Sequence, residues 1–240
     1  MAITADNINR PAGSKREETS ISNANSRQVS SNQAGPHRSL ARLVTRHLAS
    51  EYRRPVAPYS ESAFHSVRRA LAARPRPLVL DSFCGTGQST AALARRHPDH
   101  LVLGVDKSAH RLGRHLDQGA AGNYLLLRAD CEDIWQLLLH EGLALDYHYL
   151  LYPNPWPKSS HLQRRVHGHG SFPWLLRLGG RVELRSNWQV YVEEFGAALH
   201  VAGYPSCVAR VPAGPPLTLF EDKYQRSGHP LWRCVATLAP

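Results

Sequence analysis

Leu78-Val-Leu-Asp-Ser-Phe-Cys-Gly-Thr-Gly87 decides the fold. A short apolar run reaches an acid, Asp81, and opens into a glycine turn. The run is too short for a helix and is bounded by turn residues, so it reads as a buried strand. Ser89 to His97 then reads as a helix. The same order recurs downstream. Leu101-Val-Leu-Gly-Val-Asp106 is a second strand ending on an acid, followed by a helix over Ala109–Gln118. Tyr124 to Arg128 is a third strand, with a helix over Glu132–His140. Asp146 to Tyr152 is a fourth strand and Gly180 to Arg185 a fifth, with a helix over Val190–Val201. Short apolar strands alternating with helices predict βαβ units, hence an α/β fold with a mostly parallel twisted sheet covered on both faces. The last strands, near Cys207–Val211 and Trp232–Leu238, follow without a long helix between them and predict an antiparallel pair.

Outside this core the composition shifts. Residues 1–36 are rich in Asn, Ser, Gln and Gly and poor in large apolar groups, so a disordered tail is expected. Residues 37–75 form a helical extension. Leu40, Leu43, Val44 and Leu48 fall at helical spacing in Leu40–Glu51, and Pro55 ends that helix. Ser60 to Ala73 is a second helix, with Ser60 or Ser62 as its cap. Residues 76–240 are then the working domain.

The chain has 240 residues, 42% of them hydrophobic, enough for a real core. No stretch is long enough and apolar enough to span a membrane, and the start lacks a secretory pattern, so a cytoplasmic protein is expected. Cys84, Cys131, Cys207 and Cys234 are far apart and lack zinc-type pairing, so reduced thiols are expected. Lys+Arg number 29 against 19 Asp+Glu, and only four of the basic residues are lysine. Residues 1–36 hold four basic and three acidic groups, so the excess of +10 sits almost wholly in the folded part. An arginine-rich folded surface is what a polyanion partner requires, although an arginine-preferring genome gives the same count.

Ligands of open α/β sheets bind beyond the carboxyl ends of the strands. Asp81 with Gly85 and Gly87, Asp106, Asp130 with Cys131, and Asn154 all fall there. A dinucleotide fingerprint needs a third glycine, and Gln88-Ser89-Thr90 stands in its place. Asp81 would also repel a pyrophosphate. It suits the amino group of a methionine moiety, and Asp106 can accept ribose hydroxyls, so the expected cofactor is S-adenosyl-L-methionine (SAM).

The loop after the fourth strand, Tyr152-Pro-Asn-Pro-Trp-Pro-Lys158, carries the acceptor chemistry. Prolines fix the backbone on both sides of Asn154, so its amide can be aimed. Trp156 offers a flat stacking face, and aromatic stacking beside an amide edge is how an unstacked base is held. Lys158, His161, Arg164 and Arg165 follow and suit phosphate contacts. The histidines at 161, 167 and 169 have no cysteine pair and sit on a glycine-broken loop, so no metal is expected. Cys84 reads as packing rather than as a nucleophile, because no partner base accompanies it.

On these residues the chain resembles the bacterial tRNA (guanine-N7)-methyltransferase family. That family's Phe-Pro-Asp-Pro-Trp-Pro-Lys with a following His and paired Arg is similar to Tyr152–Lys158 with His161, Arg164 and Arg165. Its glycine loop matches Leu80-Asp81 through Gly85 and Gly87, its Gly-x-Glu matches Gly104-Val-Asp106, and its Asp-Ala matches Asp130-Cys131. Gly179-Gly180, Ser186-Asn187, Tyr191 and Thr218-Leu-Phe-Glu221 complete the likeness, which runs from about Pro77 to the C-terminus. The resemblance implies a Rossmann-like class I methyltransferase with cofactor contacts at Asp81, Asp106 and Asp130. It implies tRNA as partner and substrate contacts at Asn154, Lys158, Asn187, Thr218 and Glu221, in a monomer or homodimer. Two family aspartates are asparagine here, at 154 and 187, and Arg38 to Phe64 resembles the family poorly. The departures keep two other readings open: a SAM methyltransferase of a small amine or heterocycle, and a non-catalytic tRNA-binding homologue.

Overall fold

The computed structural model describes residues 26–116 and 122–239. Seven strands form one sheet in the order β3-β2-β1-β4-β5-β7-β6. They are β1 (Leu78–Ser82), β2 (Leu101–Asp106), β3 (Tyr124–Arg128), β4 (Tyr147–Leu151), β5 (Gly180–Ser186), β6 (Ser206–Arg210) and β7 (Trp232–Leu238). β1 to β5 pair in parallel, and β7 runs antiparallel between β5 and β6. The chain reverses its direction of travel across the sheet between β1 and β4, and these two strands are neighbours. The glycine loop after β1 and the Pro-Asn-Pro-Trp loop after β4 therefore emerge side by side, at the topological switch point where such sheets hold ligands.

Alternation along the central strands splits the interior in two. Leu78, Leu80, Leu101, Leu103 and Val105 face the larger core, beneath α1 (Leu40–Leu48), α2 (Pro58–Ala73), α5 (Cys131–His140), α6 (Phe172–Arg177) and α7 (Gln189–Val201). Val79, Val102 and Leu151 face the smaller one, with Leu93 and Ala94 of α3 (Gln88–Arg96). Both faces of β1 and β2 are buried, which is why those strands read as continuous apolar runs.

Four expectations need correction. The helix after β2, α4, is helical only over Ala109–Leu112, and part of the expected span lies outside the described residues. The second helix starts at Pro58 with Ala57 as its N-cap, so neither Ser60 nor Ser62 caps it, whereas the last two strands pair antiparallel as expected, with only the eight-residue α8 (Leu219–Arg226) between them. Thr218 Oγ1 accepts the Glu221 N–H at 2.9 Å, an N-cap whose signature is Thr-x-x-Glu. The first helix stops at Leu48, before the expected Glu51. Residues 26–36, placed in the tail, run along the folded surface. Ser31 Oγ donates to Pro157 O at 2.6 Å, Ser26 N–H donates to Ser227 Oγ at 3.2 Å, and Gln33 reaches Arg165 and Glu194. The disorder expected of residues 1–25 falls outside the described residues.

Beneath β1 lies a buried polar trio. Ser82 Oγ accepts the Trp135 Nε1 proton at 3.0 Å and meets His148 Nε2 at 2.8 Å. His148 is wholly buried, and burial pushes its pKa down to about 3. The unfolded imidazole takes up a proton below about pH 6.5, while the folded one does so only near 3, so stability is full above pH 6.5 and falls as pH drops through that window. The loss from this one group is of order 4 kcal/mol by pH 3. Urea unfolding at pH 7, 5 and 4 should show a steeper loss for the wild type than for His148→Gln.

Candidate active site

Asp81 ends β1 with no exposed surface. Ser89 Oγ donates to its Oδ2 at 2.6 Å and Thr90 Oγ1 at 2.7 Å. Gly104 makes this possible, because a Cβ there would collide with Thr90 Oγ1. Oδ1 of Asp81 is buried and has no partner. Burial pushes this carboxyl up to about 6, against the pull of the two hydroxyls, and Asp106 adds to the rise. A buried acceptor without a donor is costly, so this atom is matched to a ligand cation.

The loop above it is built to approach a ligand. Gly85 and Gly87 hold φ of 62° and 75°, and a Cβ on Gly85 would meet open space. Gly85 N–H donates to Asp106 Oδ2 at 3.0 Å, tying this loop to the end of β2. Asp106 Oδ1 accepts from Ser108 N–H and from Arg111 Nη2, each at 2.8 Å. The Arg111 side chain is 48% exposed and covers an acid that is itself 2% exposed. A ribose seated on Asp106 displaces that guanidinium. The guanidinium is half in solvent, which discounts the pair toward the range of surface bridges, about 0.2–1 kcal/mol. Arg111→Ala should therefore tighten S-adenosylhomocysteine binding two- to fivefold, roughly, by calorimetric titration.

At the end of β3, Asp130 is half-covered by Arg54 and Tyr59. Cys131, expected beside the cofactor, turns its thiol inward. Sγ accepts Phe83 N–H at 3.2 Å and faces Val105 O at 3.7 Å, and burial raises its pKa well above the ordinary thiol range. What it offers a ligand is the backbone N–H in the first turn of α5. Cys84 is equally buried and its pKa equally raised, so neither thiol is poised as a nucleophile.

Among the described residues, three other than glycine have positive φ: Phe83 at 64°, Tyr152 at 55° and Trp156 at 47°. All three lie in the paired loops after β1 and β4. Each such backbone costs about 1–3 kcal/mol, which local contacts must hold, and such strain concentrates at functional sites. In the second loop Asn154 is exposed, and its Oδ1 accepts Trp156 N–H at 3.2 Å. The amide oxygen is thus used in an Asx turn, and the Nδ2 end is left to meet a ligand. The Arg164 guanidinium lies 4.9 Å over the Trp156 ring, and His161 meets that ring edge-on at 5.6 Å. Lys158 and Arg164 are exposed, as phosphate contacts require. Ser30, Ser31 and Asn32 of the docked N-terminal segment enclose, with Lys158, Ser159 and Ser160, a cleft of about 370 Å³.

Arg165 is the main correction. Expected at phosphates beside Arg164, it has no exposed surface. Its Nη1 is paired with Glu194 Oε2, its Nε and Nη2 donate to Trp156 O at 3.2 and 3.1 Å, and Nη2 also reaches Lys158 O at 3.3 Å. It stacks 5.0 Å from the Trp188 ring. His167 Nε2 lies 3.0 Å from the same Glu194 oxygen, and His37 N–H donates to its other oxygen at 2.8 Å. Burial alone would raise Glu194, but the bonds from His167 and Arg165 prevail and bring it down to about 2. Arg165 thus grips the acceptor loop from beneath, by its carbonyls. Glu194 and Gln33 are site-supporting residues with no local signal in the sequence.

Glu221 and Thr218 also differ from expectation. Glu221 is buried, accepting from Arg185 Nη1 at 2.8 Å and Leu217 N–H at 3.3 Å, and Thr218 is occupied as the cap of α8. Both shape the wall at the end of β5 rather than offering free side chains. Asn187 stands there too, its Nδ2 at 3.3 Å from His229 Nδ1. His167 and His169 are committed to Glu194 and to Ser171 Oγ. Among the described residues no group of three or more His, Cys, Asp or Glu could hold a metal, and no helix is long and apolar enough to cross a membrane.

The Asp81 orphan oxygen, the open space over Gly85 and the acids at the ends of β1, β2 and β3 fit SAM, and its cationic end fits Asp81. Known proteins agree. A family model described as "Putative methyltransferase" matches residues 75–234. The tRNA (guanine-N(7)-)-methyltransferase of Edwardsiella ictaluri is 30% identical over 171 residues, covering 66% of this chain and 71% of its own. That of Neisseria meningitidis serogroup B is 28% identical over 221 residues, covering 85% and 92%. The solved 16S rRNA methyltransferase KamB superposes with a TM-score of 0.53 at 18% identity, over 78% of this chain and 97% of that one, which shows the shared fold. With the matched span covering β1 to β6, the start of β7 and both loops of the crevice, the chain belongs to the SAM-dependent tRNA (guanine-N7)-methyltransferase family.

Proposed function

We propose that this protein transfers the methyl group of SAM to N7 of a guanine in tRNA. The observation that carries the reading is the pairing of the glycine loop and the Pro153–Trp156 loop on adjacent strands, with Lys158 and Arg164 exposed beside them. The tRNA (guanine-N(7)-)-methyltransferases it resembles give the acceptor. When bound, SAM supplies an electrophilic methyl on a sulfonium.

Guanine N7 carries an in-plane lone pair, so no proton has to be removed and no general base is needed. The protein's work is to orient the base and exclude water. Trp156 stacks the purine on the indole face that Arg164 leaves open, or takes it in place of that guanidinium. Asn154 presents Nδ2, a donor, and the acceptor next to N7 is O6. An aspartate there would instead grip the N1–H and N2–H edge, so the asparagine changes how guanine is held without removing a chemical step. The amine-acceptor reading is less well served, because one of the two lone pairs of the amide oxygen it needs is already taken by Trp156 N–H. Lys158, Arg164 and the polar cleft by Ser30–Asn32 receive backbone phosphates.

Purified protein, labelled SAM and undermodified tRNA test this directly. The expected product is 7-methylguanosine in digested tRNA, identified by mass spectrometry. SAM binding with no label entering RNA would refute the acceptor. Label in a small molecule from an RNA-free extract would instead establish the amine or heterocycle reading.

A further inference from the structure

The acid at the end of β3 is held from outside the sheet. Residues 54–60, the link into α2 and its first turn, close over the turn at 130–133. Arg54 Nη2 donates to Asp130 Oδ2 at 2.8 Å, and Tyr59 Oη donates to the same oxygen at 2.7 Å. The Asp130 N–H donates to Ser60 Oγ at 3.2 Å, and Ala57 N–H donates to Asp133 Oδ2 at 3.1 Å. Arg54 also lies 3.7 Å from Asp133 and 3.9 Å from Glu132. Both strong donors converge on Oδ2, and no hydrogen bond engages Oδ1 among the described residues.

We infer that Arg54 and Tyr59 are positioning residues that lock Asp130 by Oδ2, so that Oδ1 alone faces the crevice and selects the 6-amino group of the cofactor's adenine. This rests on the SAM reading. SAM offers hydrogen-bond donors at three places along its length: the ammonium, the ribose hydroxyls and the adenine amine. Three acids stand at the ends of the adjacent strands β1, β2 and β3. Asp81 has the orphan oxygen suited to a cation, and Asp106 the position for the hydroxyls, which leaves the amine to Asp130. A carboxylate free at both oxygens turns about its terminal torsion and can evade a mismatched base. One bonded twice through Oδ2 cannot, and its lone pairs then meet a 6-oxo group as repulsion. The segment that supplies both donors precedes residues 75–234, which the family model matches.

The test uses S-adenosylhomocysteine and S-inosylhomocysteine, which differ in bearing an amine or an oxo group at that carbon. Titrated calorimetrically, the full-length wild type should prefer the adenosyl ligand by roughly 30-fold, because the oxo form sets one acceptor against another where the amine would donate. Tyr59→Phe deletes one hydroxyl, and its preference should fall about fivefold, through weaker adenosyl binding together with an inosyl Kd that is lower than in the wild type, because the loosened carboxylate can turn from the oxo group. Its thermal midpoint should stay near that of the wild type. Arg54→Lys, which keeps the charge but loses the fork, should also lower the preference. An unchanged ratio in Tyr59→Phe, or equal weakening of both ligands, overturns the positioning role alone. Failure of the wild type to bind either ligand overturns the SAM reading and this inference with it.

Discussion

Asp81→Asn should weaken S-adenosylhomocysteine binding by roughly 10- to 100-fold while leaving the fold intact. The change keeps the shape of the side chain and the bonds from Ser89 and Thr90 to Oδ2, and replaces the charged, unpartnered Oδ1 by an amide N–H donor. A hydrogen bond to a charged partner contributes about 1.5–3 kcal/mol, which sets that range. The pH dependence gives a second signature. Burial holds the folded carboxyl near 6, so the wild-type acid loses its charge, and the ligand's ammonium its partner, as pH falls below that value. Affinity should then decline by up to tenfold per pH unit between about 6 and 5, and the asparagine variant should be flat there. Titrations of both proteins at pH 8, 6 and 5 decide it. A wild-type affinity that does not change with pH would mean that the ammonium does not depend on Asp81.

The second large effect is expected from Arg165→Met. The guanidinium is buried against Glu194, and deleting it strands a buried carboxylate, a loss of about 3–5 kcal/mol. In a chain of this length that lowers the melting temperature by roughly 10 °C. The pairing of burial with backbone contacts allows a sharper test. In the double variant Arg165→Met with Glu194→Leu, much of the stability should return, because neither charge remains uncompensated. Methyl transfer to tRNA should not return, since the carbonyls of Trp156 and Lys158 still lack their clamp. Cofactor binding should be close to normal in both variants. Recovery of activity together with stability would show that Arg165 serves the core and not the loop.

Much of this was legible in the residues. The apolar runs of β1 and β2 are buried on both faces, so period and burial agreed, and the strand-end acids followed from where each run stopped. The Pro-Asn-Pro-Trp loop could be assigned because proline fixes a backbone without tertiary help. Arg164 and Arg165 show the limit. They are identical neighbours, yet one stacks on Trp156 in the open and the other lies buried with Glu194, 29 residues away, and Gln33, 132 residues away. Only the packing of distant segments separates them. Thr218 and Glu221 failed differently: their spacing was read through a family likeness, whereas the local rule for a helix start was sufficient to place α8. Arg54 and Tyr59 carried no signal, because their partner lies on another strand's end, 76 and 71 residues on.

The segment from Ser26 to Ser60 touches Ser227 and His229, then Pro157, then Arg165 with Glu194, then Gly168 through His47, and lastly Asp130. It runs like a belt from the acceptor wall to the donor end. Trimming that stretch for crystallisation or a fusion partner would unbuckle the two halves in turn. A truncation beginning at Leu40 loses the Ser31 bond to Pro157 and the Gln33 contacts that support Arg165 and Glu194, and one beginning at Pro75 frees Asp130 as well.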